Sequence, residues 1–433
     1  MTETGLLIRR LGDGLRGIMP AGAATVLDAA PRLDVMVLEV AGGHLTWNVL
    51  AGPALPAAVI DDVELAQEWV WAIYGEPIAL ALDEANAAAR TDRTAAPSPD
   101  ASTSERSDAA FDDGSDPERS PIPSAPEFDG ERSGIPAASE FDRERLAGRS
   151  VDSWSVGAGG APLSELAASA WRLAFALWVS RWWPASTLDG IAALDQRLLD
   201  REIAELTLEC ESLLDGADAI GPEVEARVES LGRASDYALA AGDEIPNGMV
   251  LGRGVGGWDW RRCPSGLVDA SEKALSWQLI RDAGVTTIAV AAATAPGLSG
   301  EVPAYLRPWA RVATGGEVRE VALRSSGGSW SGEITFTATG STVHVDVYVP
   351  GFGLAPGPVS YPTAPGHAAL RHHSSESELR LQIRDFASSR LGRAASSIDL
   401  PAGSDVPGVT FGGVSPDAPL LAEIAAAEDD SDF

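Results

Sequence analysis

Few residues of this sequence have the types and spacing that acid–base or nucleophilic chemistry needs. The chain contains five histidines and two cysteines. His344 and Asp346 belong to the segment VHVDVYV (residues 343–349), whose alternation predicts a β-strand with both polar side chains on one face. An aspartate beside a histidine can orient a base for a nucleophile such as Cys263 or a serine. His344 and Asp346 are therefore the candidate catalytic pair, on the condition that the fold brings a nucleophile to them.

Two further motifs resemble catalytic or phosphate-binding signatures but lack an essential residue. The pattern GSWSG at 328–332 has Trp330 where a nucleophile elbow requires serine, so we interpret it as a hairpin turn. The glycine-rich stretch at 251–260 lacks the spacing of a dinucleotide fingerprint and the Lys-Ser/Thr of a P-loop, and we interpret it as a connector between domains. The histidines and cysteines show no metal-ligand spacing. No cofactor and no metal are expected.

Aromatic residues outside helical patterns are the candidates for binding a partner. Trp258 and Trp260 share one face if their segment is extended. They either contact a sugar or a protein partner, or they cover the open edge of the β-sandwich or seal it against the helices. Three phenylalanines of an acidic segment each precede an aspartate, and a fourth ends the chain: Phe111, Phe128, Phe141 and Phe433. Isolated aromatics of this kind are typical of short docking motifs, or else of low-complexity repetition without a function.

The charge of the chain limits the partners that it can bind. The sequence has 63 acidic residues against 32 Lys and Arg, which gives a formal net charge of −31 over 433 residues. This field disfavours direct binding to nucleic acid and to anionic membranes, and it favours other proteins, including basic surfaces, unless it serves solubility alone. The first residues lack the pattern of a signal peptide, so a cytoplasmic location is expected. The preference for arginine over lysine is typical of a GC-rich bacterial genome.

Residues 163–183 predict a helix that is buried on most sides. Arg172 lies near its middle, which argues against a membrane span. The helix carries one aromatic ridge, because spacings of four, three and four residues separate Trp171, Phe175, Trp178 and Trp182. Pro184 ends the helix.

Two more helices are predicted after this one. The first covers 189–214, is opened by Ser186 or Thr187, and has an apolar stripe that includes Cys210, with Glu202 lying off the stripe. The second begins at Pro222, since proline is favoured in a first turn. The three helices together predict a bundle over 151–246.

Residues 1–87 predict a small α/β domain. Two strands over 34–40 and 44–50 are separated by glycines, as in a β-hairpin. A helix capped by Asp61 follows, with Leu65, Trp69 and Ile73 on its buried face, and Gly75 ends it. Residues 77–83 are predicted to form another strand.

The remaining segments complete an α+β multidomain organisation. Residues 88–150 are too poor in aliphatic side chains to form a core, and they predict a disordered acidic linker. Residues 247–365 contain several short strands with glycine turns between them, which predict an antiparallel β-sandwich of immunoglobulin-like size. A helix at 366–398 and an acidic tail at 399–433 follow.

These features favour a non-catalytic adaptor or scaffold subunit of an intracellular multiprotein assembly. A hydrolase with its site at His344 and Asp346 is the first alternative. A carbohydrate- or ligand-binding β-sandwich that uses Trp258 and Trp260 is the second.

Overall fold

The structure is a computed structural model that describes residues 4–12, 14–20, 23, 32–95, 154–158, 163–214, 249–298, 300–336, 342–353, 367–398 and 415–430. Within these ranges the fold is of the mixed α+β class, with seven α-helices and three antiparallel β-sheets. Most of their buried apolar side chains form one contiguous hydrophobic cluster. Four candidate binding residues lie outside the described ranges: Phe111, Phe128, Phe141 and Phe433. The helix predicted from Pro222 and most of the predicted linker lie outside them as well.

The first sheet is built mainly from the N-terminal residues. Its strands are β1 (Thr4–Gly12), β2 (Leu15–Pro20), β3 (Val35–Val40), β4 (Gly43–Asn48), β5 (Ala57–Ile60) and β6 (Trp154–Ala158). Their order is β3-β4-β5-β2-β1-β6, so β3 and β6 are the two edges. The predicted hairpin is confirmed, since β3 pairs with β4. β6 pairs with β1, although the sequence analysis assigned its residues to the helical bundle.

Two helices follow this sheet, α1 (Val63–Tyr74) and α2 (Glu76–Ala95). Asp62 rather than Asp61 caps α1, since its carboxylate accepts hydrogen bonds from the first free backbone N–H groups. On the predicted buried face, Trp69 and Ile73 are buried, whereas Leu65 is 52% exposed. The strand predicted at 77–83 is wrong, because these residues form the first turns of α2. α2 also continues past residue 88, where the linker was predicted to begin.

The aromatic ridge lies on α3 (Glu165–Trp182), which packs against β3. The rings of Trp171 and Phe175 stack with centroids 5.3 Å apart, and those of Phe175 and Trp178 with centroids 6.1 Å apart. The indole N–H of Trp178 donates to the carbonyl of Leu33, just before β3, at 2.8 Å. The helix ends at Trp182, as predicted from the proline that follows.

The next helical segment is shorter than predicted and divides into α4 (Gln196–Glu209) and α5 (Glu211–Leu214). Asp195 caps α4, while Ser186 and Thr187 belong to a turn before it. Glu202 was expected on the solvent side, but it is 5% exposed. It is buried because its carboxylate forms an ion pair with Arg172 of α3, at 2.5 Å.

Two antiparallel sheets form from residue 249 onward. Their strands are β7 (Met249–Gly256), β8 (Leu275–Asp282), β9 (Val285–Ala293), β10 (Trp309–Thr314), β11 (Glu317–Ala322), β12 (Arg324–Ser326), β13 (Ser329–Phe336) and β14 (Val343–Tyr348). One sheet has the order β12-β13-β9-β8-β7, and the other has the order β11-β10-β14. The glycine-rich stretch is therefore largely a strand, not a connector. Most of the GSWSG pattern also lies in a strand, β13, where Trp330 is buried.

Three two-residue turns of these sheets confirm the turn signals in the sequence. Ala283 and Gly284 have φ angles of 47° and 86°, Gly315 and Gly316 of 58° and 87°, and Gly327 and Gly328 of 58° and 78°. Two consecutive positive φ angles are the geometry that matches the twist of a tight hairpin.

The C-terminal part contains α6 (His367–Ile398), as predicted, and α7 (Leu421–Asp430), which the sequence analysis did not predict. Arg390 of α6 is 1% exposed. Its guanidinium pairs with Glu423 of α7 at 2.6 Å and lies 4.5 Å from the ring centroid of Phe175 on α3. This arginine therefore links three helices.

A buried carboxylate joins the helical and β segments. Asp269 has no exposed surface. Its oxygens accept hydrogen bonds from Ser186 Oγ at 2.7 Å and from the backbone N–H groups of Thr187, Leu188 and Ser271 at 2.8, 3.4 and 2.9 Å. Four donors replace the water that a buried carboxylate loses.

Replacing Asp269 by asparagine is expected to lower the free energy of unfolding by about 3 kcal/mol, because hydrogen bonds to a charged acceptor contribute about 1.5–3 kcal/mol each. The asparagine NH₂ group would also face backbone donors. Urea unfolding followed by tryptophan fluorescence measures the change. The control is Glu205→Gln, which removes an exposed ion pair with Arg201 and should change stability by less than about 0.5 kcal/mol. Equal stability losses in the two variants would contradict this role of Asp269.

Candidate functional site

The predicted pair His344 and Asp346 shares one face of β14, as the alternation requires. His344 Nε2 lies 3.3 Å from Asp346 Oδ2. The other oxygen of Asp346 is 3.4 Å from Arg262 Nη1, and Arg311 of β10 is its cross-strand neighbour. Arg262 also contacts Asp259 at 3.3 Å. The pair is therefore part of a half-buried network of charges.

The charges of this network set the protonation of the histidine. The hydrogen bond to Asp346 raises the pKa of His344 above 6.5, against the opposing effects of burial and of the neighbouring arginines. Burial alone would raise the pKa of Asp346, but the hydrogen bond from His344 and the arginine charges outweigh it and hold that pKa below 3.8. A raised histidine pKa favours the imidazolium, which donates to Asp346 and cannot accept a proton as a general base.

The two cysteines do not have the properties of nucleophiles in this conformation. Cys263 is 2% exposed, and burial raises the pKa of its thiol. Burial also raises the pKa of Cys210, to about 12. Because the thiolate is the reactive form, raised pKa values make both thiols unreactive. The hydrolase alternative therefore remains a prediction, and neither cysteine would supply its nucleophile.

Trp258 and Trp260 belong to the hydrophobic core. Their side chains are 6% and 5% exposed, and the indole N–H of Trp258 donates to the carbonyl of Asp269 at 2.7 Å. Neither ring has the open face that stacking on a sugar or anchoring a protein requires. The geometry corresponds to the packing alternative, in which the WDW segment seals the β region. Partner binding would require both rings to leave the core.

Two further findings concern only the described residues. In them, no group of three or more His, Cys, Asp or Glu side chains is placed to hold a metal ion. None of the helices in these ranges is both long and apolar enough to cross a membrane.

The candidate binding site is a cleft of about 420 Å³ between β3, the last two turns of α3 and residues 263–265. This volume lies in the range of ligand pockets, about 300–1,000 Å³. Val37 and Leu177, on opposite walls, are 38% and 37% exposed, although both are apolar. Trp182 and Phe352 also line the cleft. The cleft is thus a largely apolar surface that is open to solvent.

One wall of the cleft is the free edge of β3. The backbone carbonyl of Asp34 accepts a hydrogen bond from the N–H of Val49 across the hairpin. Along an antiparallel strand, every second residue forms hydrogen bonds to the neighbouring strand. The backbone N–H and C=O groups of residues 35, 37 and 39 therefore point away from β4. Hydrogen bonds close the two ends of this edge. At one end, the indole N–H of Trp178 donates to the carbonyl of Leu33. At the other end, the N–H of Ala41 donates to the carbonyl of Leu213. Between these ends, the N–H and C=O groups of Val37 have no hydrogen-bond partner among the described residues. The middle of the edge is therefore available for pairing.

The sequence analysis did not find this cleft. It assigned Val37 to a strand and Trp182 to the aromatic ridge, but the cleft depends on how β3 and α3 meet. One signal was present. In VMVLEV, alternation places residues 37 and 39 on the outward face, and position 37 is apolar where position 39 is a glutamate.

Comparisons with protein-family models, with curated proteins and with solved structures find no match for this chain.

Asp346→Asn is expected to lower the pKa of His344, because the hydrogen bond to the carboxylate is the main cause of its raised value and the arginine charges would remain. NMR titration of the His344 ring protons measures the shift, with the resonance assigned by its loss in His344→Gln. An unchanged pKa would contradict the assigned cause.

The same raised pKa makes the stability contribution of His344 depend on pH. The pKa of His344 is higher in the folded protein than in the unfolded chain, where it lies near 6.5. Protonated His344 therefore stabilises the fold fully when the pH is below the unfolded pKa. This stabilisation is lost as the pH rises through the folded pKa. His344→Gln should therefore lower the melting temperature more at about pH 5.5 than at about pH 8.5. An equal decrease at both values would contradict the expectation.

Proposed function

We propose that this protein is a non-catalytic adaptor or scaffold subunit of a bacterial, cytoplasmic multiprotein assembly, with the cleft beside β3 as a docking site for a partner protein. The observation that supports the proposal is the open middle of the β3 edge, which lies next to exposed apolar side chains.

The physical basis of docking is strand addition. An extended segment that lies along an open edge gains main-chain hydrogen bonds, and its alternate side chains enter whatever pocket lies beside the edge. Edge strands are normally protected by charges, proline or a covering element, because an open edge pairs with other chains. Here the two ends of β3 are covered and its middle is not, which restricts pairing to a short segment at the cleft.

The other parts of the molecule have supporting roles in this proposal. The two sheets of residues 249–353 pack as a β-sandwich that serves as a rigid support, an arrangement favoured by their common hydrophobic cluster. The Phe–Asp dipeptides at Phe111, Phe128 and Phe141 are docking motifs for other partners. The net charge of −31 favours basic surfaces on such partners.

The docking role predicts that partner recovery depends on the cleft. Tagged full-length protein is purified from its host, and the co-purified proteins are quantified by mass spectrometry. Val37→Pro removes the outward N–H without adding charge, a change that edge strands tolerate, and Leu177→Gln makes the opposite wall polar. Each variant should reduce the recovery of at least one stoichiometric partner by tenfold or more.

The matched control is Leu208→Gln, a change at an apolar residue of α4 that is 72% exposed and lies outside the cleft. It should leave recovery unchanged, and thermal melts check that all variants are folded. Recovery that is identical in all three variants and the wild type would show that the cleft is not a docking site. A deletion of residues 100–145 tests separately whether the Phe–Asp dipeptides recruit partners.

A further inference from the structure

The helices α1 and α2 belong to a part of the sequence that is acidic throughout. Between Arg32 and Arg90 the chain contains nine aspartates and glutamates but no lysine or arginine. Four of these carboxylates are exposed on the two helices, and none of the four forms an ion pair with a described residue: Glu68, Glu76, Asp83 and Glu84. No basic residue follows or precedes any of them by three or four positions, which is the spacing of a helical ion pair. The negative charge of these helices is therefore not neutralised within them.

An exposed tryptophan lies among these carboxylates. Of the tryptophan side chains whose burial the structure describes, Trp71 alone is exposed, at 59%. Glu68 precedes it by three residues, so the two side chains are neighbours on one face of α1. On α2, Leu80 is 55% exposed. Three carboxylates surround Leu80 at helical spacings of four, three and four residues: Glu76, Asp83 and Glu84. Each of the two exposed apolar side chains therefore has carboxylates beside it.

Trp71 and Leu80 belong to one surface, because the two helices pack against each other. Gln67 Nε2 donates to the carbonyl of Ala79 at 3.2 Å. Trp71 follows Gln67 by four residues on the same side of α1, and Leu80 is the residue after Ala79. A single residue, Gly75, connects the helices, and its φ of 86° allows this tight turn. We name this surface the hairpin face, which consists of Glu68, Trp71, Glu76, Leu80, Asp83 and Glu84. None of these residues lines the cleft beside β3.

The carboxylates of the hairpin face suit several separate cationic groups and not one metal ion. Among the described residues, no three His, Cys, Asp or Glu side chains are placed to share a metal ion. Carboxylates that are spread over two helices can instead each pair with a different basic side chain. An exposed ion pair is weak by itself, so binding through such pairs requires several of them. A polypeptide segment with several basic residues provides them.

Trp71 favours arginine among the basic residues. A guanidinium group is planar and weakly hydrated, so it stacks on an indole ring while its N–H groups donate to neighbouring carboxylates. The chain uses the same contact elsewhere. Arg181 lies 5.2 Å from the ring centroid of Trp182, and Arg390 lies 4.5 Å from that of Phe175. The exposed indole beside Glu68 thus presents both a ring face and a carboxylate to a guanidinium.

We propose that the hairpin face binds an arginine-bearing segment of a separate protein. One arginine stacks on Trp71 and pairs with Glu68. Other basic residues of the segment pair with the carboxylates of α2, and an apolar side chain of the segment packs on Leu80. This proposal goes beyond the docking role of the cleft, because it assigns a second surface to a partner of defined charge.

The charge of this chain favours a separate protein over the chain's own segments. None of the segments outside the described ranges has more Lys and Arg than Asp and Glu. The longest of them, residues 96–153, has 14 Asp and Glu against 6 Arg. A second copy of the chain would bring a net charge of −31 towards a surface of the same sign. A basic partner is attracted where these segments are repelled.

The test measures the binding of labelled twelve-residue peptides to the full-length protein by fluorescence anisotropy. One peptide carries four arginines and two leucines among alanines, and two matched peptides carry lysine or glutamine in place of the arginines. The arginine peptide should bind at least tenfold more tightly than the glutamine peptide and at least twofold more tightly than the lysine peptide. Trp71→Ala should remove the preference for arginine over lysine. Tyr305→Ala, at an aromatic residue that is 63% exposed, should preserve it.

A second pair of variants tests the carboxylates. The test variant neutralises three carboxylates of the hairpin face: Glu68→Gln, Asp83→Asn and Glu84→Gln. The control variant has the same net charge and neutralises three exposed carboxylates outside this face: Glu211→Gln, Asp282→Asn and Glu333→Gln. The test variant should lower the affinity for the arginine peptide at least tenfold, and the control variant less than twofold. Thermal melts check that all variants are folded.

The outcomes that overturn the proposal are distinct. Equal binding of the arginine and glutamine peptides, or no binding, would show that the hairpin face has no affinity for basic segments. Equal losses in the two triple variants would mean that the net charge of the molecule attracts the peptide. An arginine preference that survives Trp71→Ala would exclude stacking on this ring.

Two further measurements separate the other occupants. A molecular mass that rises with concentration in sedimentation, and no longer rises in Trp71→Ala, would assign the hairpin face to a second copy. A tenfold gain in affinity after deletion of residues 100–145 would assign it to the chain's own segment. Either result would overturn the assignment to a separate protein. Val37→Pro should leave peptide binding unchanged, because the hairpin face is independent of the cleft.

Discussion

The buried carboxylate of Asp269 is the constraint on which the relation between the helical and β segments depends. It accepts hydrogen bonds from the turn after α3, including Ser186 Oγ, while the carbonyl of the same residue accepts from the Trp258 indole. A buried carboxylate that lost these donors would cost several kcal/mol, so the two segments must keep this relation. The nearby bond from Ser265 to Ser180 brings the loop at 263–265 against α3. The two walls of the cleft that these segments form are therefore held in place.

Buried arginines of α6 also fix neighbouring segments relative to one another, through ion pairs. Arg390 pairs with Glu423 where both side chains are excluded from solvent, and Arg380 and Arg384 both reach Glu272. A buried ion pair recovers its desolvation cost only with good geometry, so such pairs favour one arrangement of the helices over alternatives. These polar networks position the described elements, and the cleft beside β3 is a surface that stays open to solvent among them.

Local patterns in the sequence predicted the elements whose neighbours are close in the chain. The hairpin of β3 and β4, the aromatic ridge of α3 and the glycine turns follow from alternation, from helical spacing and from positive φ angles. The failures occurred where local patterns are ambiguous. The apolar run at 77–83 fits a strand or a helix equally well, and Pro77 suits the first turn of a helix. The glycine-rich stretch at 251–256 has weak strand propensity, yet it pairs with β8 along its length.

The sequence by itself determined the α+β class, the identity of most helices and strands, and the face of β14 that carries His344 and Asp346. Only the tertiary structure decided that Glu202 is buried, that the WDW segment is core, and that the middle of β3 is open beside Leu177. The physical reason is the range of the interactions. Turns and periodic faces depend on residues a few positions apart, whereas an ion pair or an open strand edge depends on which distant segment packs there, and no local pattern records that.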